Sequence, residues 1–117
     1  MTRDDLNRFC ASLPQATHVI QWGGADVYKV GGKVFAIIGM AETGASVTFK
    51  ASDLAFEILS VAPGLRPAPY MASRGLKWIQ HYAAPGLSDD SLREHIEASY
   101  GMVLSGLSGR KRAALGL

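Results

Sequence analysis

The chain has 117 residues, of which 48% are hydrophobic and 19% charged, with a formal net charge of +2. This is the composition of one globular domain and excludes a disordered chain. No apolar run approaches the roughly 20 residues that span a bilayer. The start MTRDDLNRFC lacks the apolar core of a secretory signal, and the single cysteine, Cys10, excludes an internal disulfide, so a reducing cytoplasm is the expected home.

Thr2 is placed to cap a helix with Asp5 at its third position. Leu6, Phe9, Cys10 and Leu13 share one face before Pro14 stops the run. From His18 to Lys50 the apolar period changes to two, and HVIQW, DVYKV, KVFAII and ASVTFK read as four strands separated by glycine-containing breaks. Gly31-Gly32 signals a two-residue hairpin, because turns that match strand twist need positive φ at their central positions. Ser52 caps a second helix, whose buried stripe is expected at Leu54, Ala55, Ile58, Leu59 and Ala62. The irregular, proline-rich LRPAPYMASRG then leads to a fifth strand in LKWIQHYA. Ser88 caps the last helix, with Asp89 and Asp90 in its positive first turn and a stripe of Leu92, Ile96, Tyr100, Val103 and Leu107. Residues 110–117 are expected to form a loose basic tail. The order predicts an α+β fold: an antiparallel meander flanked by N-terminal, middle and C-terminal helices, in a single domain spanning 1–117.

Catalytic chemistry finds little footing. His18, His81 and His95 have no ligand partner at helical or hairpin spacing, so neither a metal nor a cofactor is expected. Cys10 reads as a small buried hydrophobe, the serines fall at caps or in connecting segments, and no G-x-S-x-G elbow occurs. Gly31-Gly32-Lys33 runs into a strand, whereas a Walker-type phosphate cradle leads into a helix. An enzyme is not expected.

Basic and aromatic residues remain. Residues 1–60 carry five Lys/Arg against six Asp/Glu, and residues 61–117 seven against four. Lys29 and Lys33 flank the hairpin tip, where cationic side chains are expected to project freely. With Val47 and Phe49 facing a core, Ser46, Thr48 and Lys50 share the outer face. Arg66, Arg74 and Lys77 border Tyr70 and Trp78. Phosphate contacts need cations but no base code. The same lysines also suit exposed strands that must stay soluble and unpaired at their edges. Tyr70 and Trp78 suit either base stacking or burial.

In order along the chain, LPQA, WGGADVYKVGGKVFA, VTFKASD, APY followed by KW, and SYGMVLSGLSGRKR resemble the MmcQ/YjbR group of small bacterial proteins. The resemblance covers nearly the whole chain and rests on the ordered set rather than on any one motif. It implies a frataxin/CyaY-like fold in a double-wing arrangement, linked to DNA binding. The matching positions are Gly32, Lys33, Lys50, Tyr70, Trp78, Ser99 and Tyr100. Lys33 and Lys50 suit phosphate contact, while Ser99 and Tyr100 lie near the buried stripe and look structural. The family's segment between the tyrosine and the tryptophan is short, polar and basic; here, in MASRGLK, Gly75 and Leu76 dilute the charge. A frataxin-type relation also raises iron handling, which needs clustered carboxylates. Asp4 and Asp5, followed by little until Asp26, do not supply them.

The leading expectation is a non-catalytic DNA-binding protein that grips phosphates through Lys29, Lys33 and Lys50, helped by Arg66, Arg74 and Lys77. The alternative is a module for a protein partner or small ligand, with Tyr70 and Trp78 lining a groove between the sheet and the last helix.

Overall fold

Thr2 opens the first helix as its sequence predicts. Its hydroxyl accepts from the Asp5 amide at 3.1 Å and the Asp5 carboxylate accepts from the Thr2 amide at 3.0 Å, closing a capping box. The computed structural model describes residues 1–41 and 44–117. Its elements are α1 (Arg3–Ser12), β1 (Thr17–Gln21), β2 (Ala25–Val30), β3 (Lys33–Ala41), β4 (Gly44–Lys50), α2 (Asp53–Leu59), β5 (Leu65–Pro67), β6 (Trp78–His81), α3 (Asp89–Ser105) and α4 (Gly109–Leu115), with a single 3-10 turn at Ala72–Arg74. The six strands form one antiparallel sheet in the order β1-β2-β3-β4-β6-β5. The fold is α+β, as the element order predicts.

Alternation along the strands sorts the sheet into two faces. Tyr28, Ala36, Ile38, Val47, Phe49, Ile79 and Leu65 point to one face and meet Leu6, Cys10, Leu59, Leu92, Ile96 and Val103 from the helices. The opposite face carries no helix; Val27, Ile37, Thr48, Gln80 and Arg66 stand side by side across it.

Ser99 shows why a polar residue sits in the helix stripe. It is fully buried. The β3–β4 ladder ends at the Ala36–Phe49 pair, one rung short of Phe35 and Lys50, beside an irregularity in the β2–β3 register. The Ser99 hydroxyl spans that rung, donating to the Phe35 carbonyl at 2.7 Å and accepting from the Lys50 amide at 2.9 Å. Two backbone groups that would otherwise lack partners are satisfied by one side chain. Tyr100, next in sequence, donates its hydroxyl to the Pro14 carbonyl at 2.7 Å and ties α3 to the end of α1.

Four expectations change. The stripe assigned to the second helix shifts: Ala55, Leu59 and Ala62 pack as expected, but Leu54 and Ile58 are 67% and 59% exposed, and Phe56 packs in their place. This seven-residue helix lies across a sheet edge, where a narrower contact suffices than periodicity alone requires. The proline-rich connection contains the edge strand β5; proline at its end is tolerated because no further strand needs that amide. The loose tail is instead α4, capped by Ser108, whose hydroxyl accepts from the Lys111 amide, and anchored by Leu115 against the core. Ser46 and Thr48, expected on an outer face, are 4% and 7% exposed, because neighbouring strands and the segment after β5 wall them in.

Candidate functional site

The glycines of the β2–β3 hairpin take φ of 58° at Gly31 and 79° at Gly32, as the turn requires. The tip does not project freely. A Cβ built on Gly31 would lie 2.5 Å from Leu107 Cδ1, and one on Gly32 would lie 3.8 Å from the Lys111 ammonium. The hairpin rests on the link between α3 and α4, so α4 brings Arg110, Lys111 and Arg112 to the end of the sheet that carries Lys33.

Register adds further cations there. Lys29 lies opposite Thr17 and Val34, Lys33 opposite Val30, and Lys50 opposite Trp78. Lys77 adjoins through its carbonyl, which accepts from the Ala51 amide at 2.9 Å. Lys77 is partly neutralised by Asp53, 3.0 Å away. Lys29, Lys33, Lys50, Arg74, Arg110, Lys111 and Arg112 form no ion pair among the described residues.

Apart from Asp53, most acids among the described residues lie elsewhere. Asp4 and Asp5 open α1, and Asp89 and Asp90 open α3, at the far ends of the strands. Asp26 points to the helix side, within 3.1 Å of Arg3 Nε, Asn7 Nδ2 and His18 Nε2. Burial pushes the Asp26 carboxyl up, but hydrogen bonds from His18, Asn7 and Arg3 together outweigh it, so its pKa lies below the ordinary aspartate value. Among the described residues, every acid sits on a helix or, as Asp26 does, on the helix-facing side. The helix-free face carries Lys29, Lys50, Arg66 and Arg74 and, among the described residues, no carboxylate.

That face also holds a groove of about 760 Å³. Ile37, Gly39, Ser46, Thr48 and Gln80 form its floor, and Trp22, Met40, Tyr70 and Met71 its apolar rim, with Arg3 and Arg74 alongside. Arg3 is held by Asp26 and by the Gly24 carbonyl. Arg66 donates to Gln80 Oε1 at 2.7 Å and lies 4.1 Å over the Tyr82 ring. The groove expected between the sheet and the last helix is thus not this one: the groove near Tyr70 lies on the side of the sheet away from α3. Tyr70 lines it, but Trp78 is half-buried beside Lys50, and Trp22 takes the second aromatic place. Sequence reasoning passed over Trp22 because it ends a predicted strand; its neighbouring Gly23-Gly24 was the available signal that the chain turns there and leaves the ring outside.

The histidines stay apart: His18 contacts Asp26, His81 accepts from the Leu87 amide, and His95 stacks on Phe49. No three His, Cys, Asp or Glu side chains gather in a metal-holding group among the described residues.

A sequence model of the YjbR family matches residues 11–102, which span the sheet, the groove and most of α3. The chain belongs to the YjbR family. Two solved structures share the fold of this YjbR member. A Deinococcus radiodurans protein with a DUF419 domain is 23% identical with a TM-score of 0.83, covering 99% of this chain and 88% of its own. A Pseudomonas syringae protein is 17% identical with a TM-score of 0.71, covering 88% of this chain and 99% of its own. At these identities the likeness speaks for the fold alone. Among curated proteins none matches the chain significantly. No helix of this YjbR protein is long and apolar enough to cross a membrane among the described residues.

Proposed function

We propose that this YjbR protein is a non-catalytic nucleic-acid-binding protein that holds phosphates with the basic end of its sheet. The observation that carries the reading is charge segregation. Lys29, Lys33 and Lys50 are joined at one end of the strands by Arg110, Lys111 and Arg112, while most acids among the described residues sit on the helices away from that end, Asp53 being the exception. A backbone of phosphates meets an excess of cations there, with Asp53 beside them held by Lys77. Arg66 and Lys77, engaged with Gln80 and Tyr82 and with Asp53, contribute less than the sequence alone suggests.

With about six phosphate contacts, binding is weak and nonspecific, with Kd on the order of 10⁻⁴–10⁻⁶ M, and log K falls with log salt at a slope near −5 on duplex DNA. Fluorescence anisotropy of labelled DNA over a salt series tests this. Lys33→Glu combined with Lys50→Glu is expected to abolish the signal. Salt-independent binding, or none at low salt, refutes the reading.

A further inference from the structure

Trp22 and Tyr70, the two aromatic residues on the groove rim, are 65% and 88% exposed. Both hold left-handed backbone conformations, with φ of 49° and 69°. Such a conformation is costly for a bulky side chain, and strain of this kind gathers where a ligand is clamped. Gln15 is the other non-glycine residue with positive φ among the described residues, and it lies in the link from α1 to β1, away from the groove. Two strained, solvent-facing rings on one rim are not explained by packing, since neither is buried.

Chemistry narrows the occupant. The rim offers flat apolar faces, the floor offers the hydroxyls of Ser46 and Thr48 and the amide of Gln80, and Arg74 stands beside them without an ion pair among the described residues. Among the described residues no carboxylate shares the face. The complementary ligand has planar faces, hydrogen-bonding edges and negative charge. An acidic peptide lacks the planar faces, and a duplex hides its bases within the stack. An unpaired nucleotide strand offers all three. The face is also continuous with the phosphate-binding end: Lys50 lies two residues along β4 from Thr48 on the floor, about 7 Å away, the span of two stacked nucleotides.

We propose that the groove takes unpaired bases of single-stranded nucleic acid, stacked on Trp22 and Tyr70, while Arg74, Lys50 and Lys29 meet the phosphates of the same strand. This rests on the phosphate reading above and adds the strandedness and the second contact surface. The test titrates the full chain into a labelled single strand of mixed sequence and into the labelled duplex of the same sequence, for wild type, Trp22→Ala, Tyr70→Ala, Tyr70→Gly and the pair Lys33→Glu with Lys111→Glu. Glycine suits φ of 69°, so Tyr70→Gly keeps the loop while removing the ring.

The single strand is expected to bind more tightly than the duplex. Each aromatic variant should weaken single-strand binding by about 5- to 100-fold and leave duplex binding unchanged, and the Lys33/Lys111 pair should weaken both. Equal affinity for the two forms, with the aromatic variants unaffected, overturns the groove proposal and leaves the phosphate reading standing. No binding of either form at low salt overturns both.

Discussion

Replacing Ser99 by alanine removes one oxygen and unpairs two backbone groups. The hydroxyl is fully buried, donates to the Phe35 carbonyl at 2.7 Å and accepts from the Lys50 amide at 2.9 Å. A buried peptide group left without a partner costs about 1–3 kcal/mol, so the two together cost about 2–6 kcal/mol. Domains of this size are stable by about 5–15 kcal/mol in total, so the loss is a large fraction. With a urea m-value in the middle of the usual range, about 2 kcal/mol per molar, the unfolding midpoint should fall by roughly 1–3 M at unchanged slope. Ser105→Ala is the control. Its hydroxyl donates to the Gly101 carbonyl on the exposed side of the same helix, and its loss should stay within about 0.5 kcal/mol. Urea unfolding followed by far-ultraviolet circular dichroism reads both. A Ser99→Ala cost below about 1 kcal/mol at unchanged slope refutes the reasoning, because it means the strands close the rung themselves or water replaces the hydroxyl.

Gly31→Ala places a Cβ against Leu107 in a left-handed turn and should destabilise by about 2–4 kcal/mol, read as a lowered thermal midpoint. An unchanged midpoint would mean that the hairpin does not rest on the α3–α4 link. Asp26 has a folded-state pKa below its unfolded value, so its contribution to stability is fully present above the ordinary aspartate pKa of about 3.9 and is lost as pH falls through the lowered native pKa. Asp26→Asn should therefore be less stable than wild type at neutral pH, with the difference shrinking on acidification below about pH 4. A constant difference across that window contradicts the assignment. Burial pushes the Cys10 thiol up to about 12, so alkylation of the native protein at neutral pH should proceed only as fast as the chain opens, while the urea-unfolded chain reacts at once. Rapid native labelling would place Cys10 outside the core.

Much of this fold depends on neighbours within a few residues, and that part is legible in the sequence. Thr2 with Asp5, Ser52 and Ser88 cap their helices because a cap needs only an amide two or three residues away. Gly31-Gly32 turns the hairpin because positive φ is a local demand. The alternation from Val27 to Phe49 sets the strands and their core face, and the α3 stripe follows from its period.

What the sequence left open depends on pairings across long separations. Leu54 and Ile58 match a helical stripe, yet α2 meets only a sheet edge and leaves them in solvent. The tail residues 110–117 look loose in isolation, and although Ser108 caps α4 locally, Leu115 finds its partners only once the core has formed. Whether Ser46 and Thr48 meet water depends on β4 pairing with β6 some thirty residues later and on where the intervening segment lies. The same pairing puts Tyr70 opposite Trp22 across a groove and sends Trp78 to Lys50. Charge segregation likewise emerges only in three dimensions: spread along the chain the charges give a net +2, and the fold gathers about half of the cations at one end because register, not sequence proximity, sets which side chains stand together.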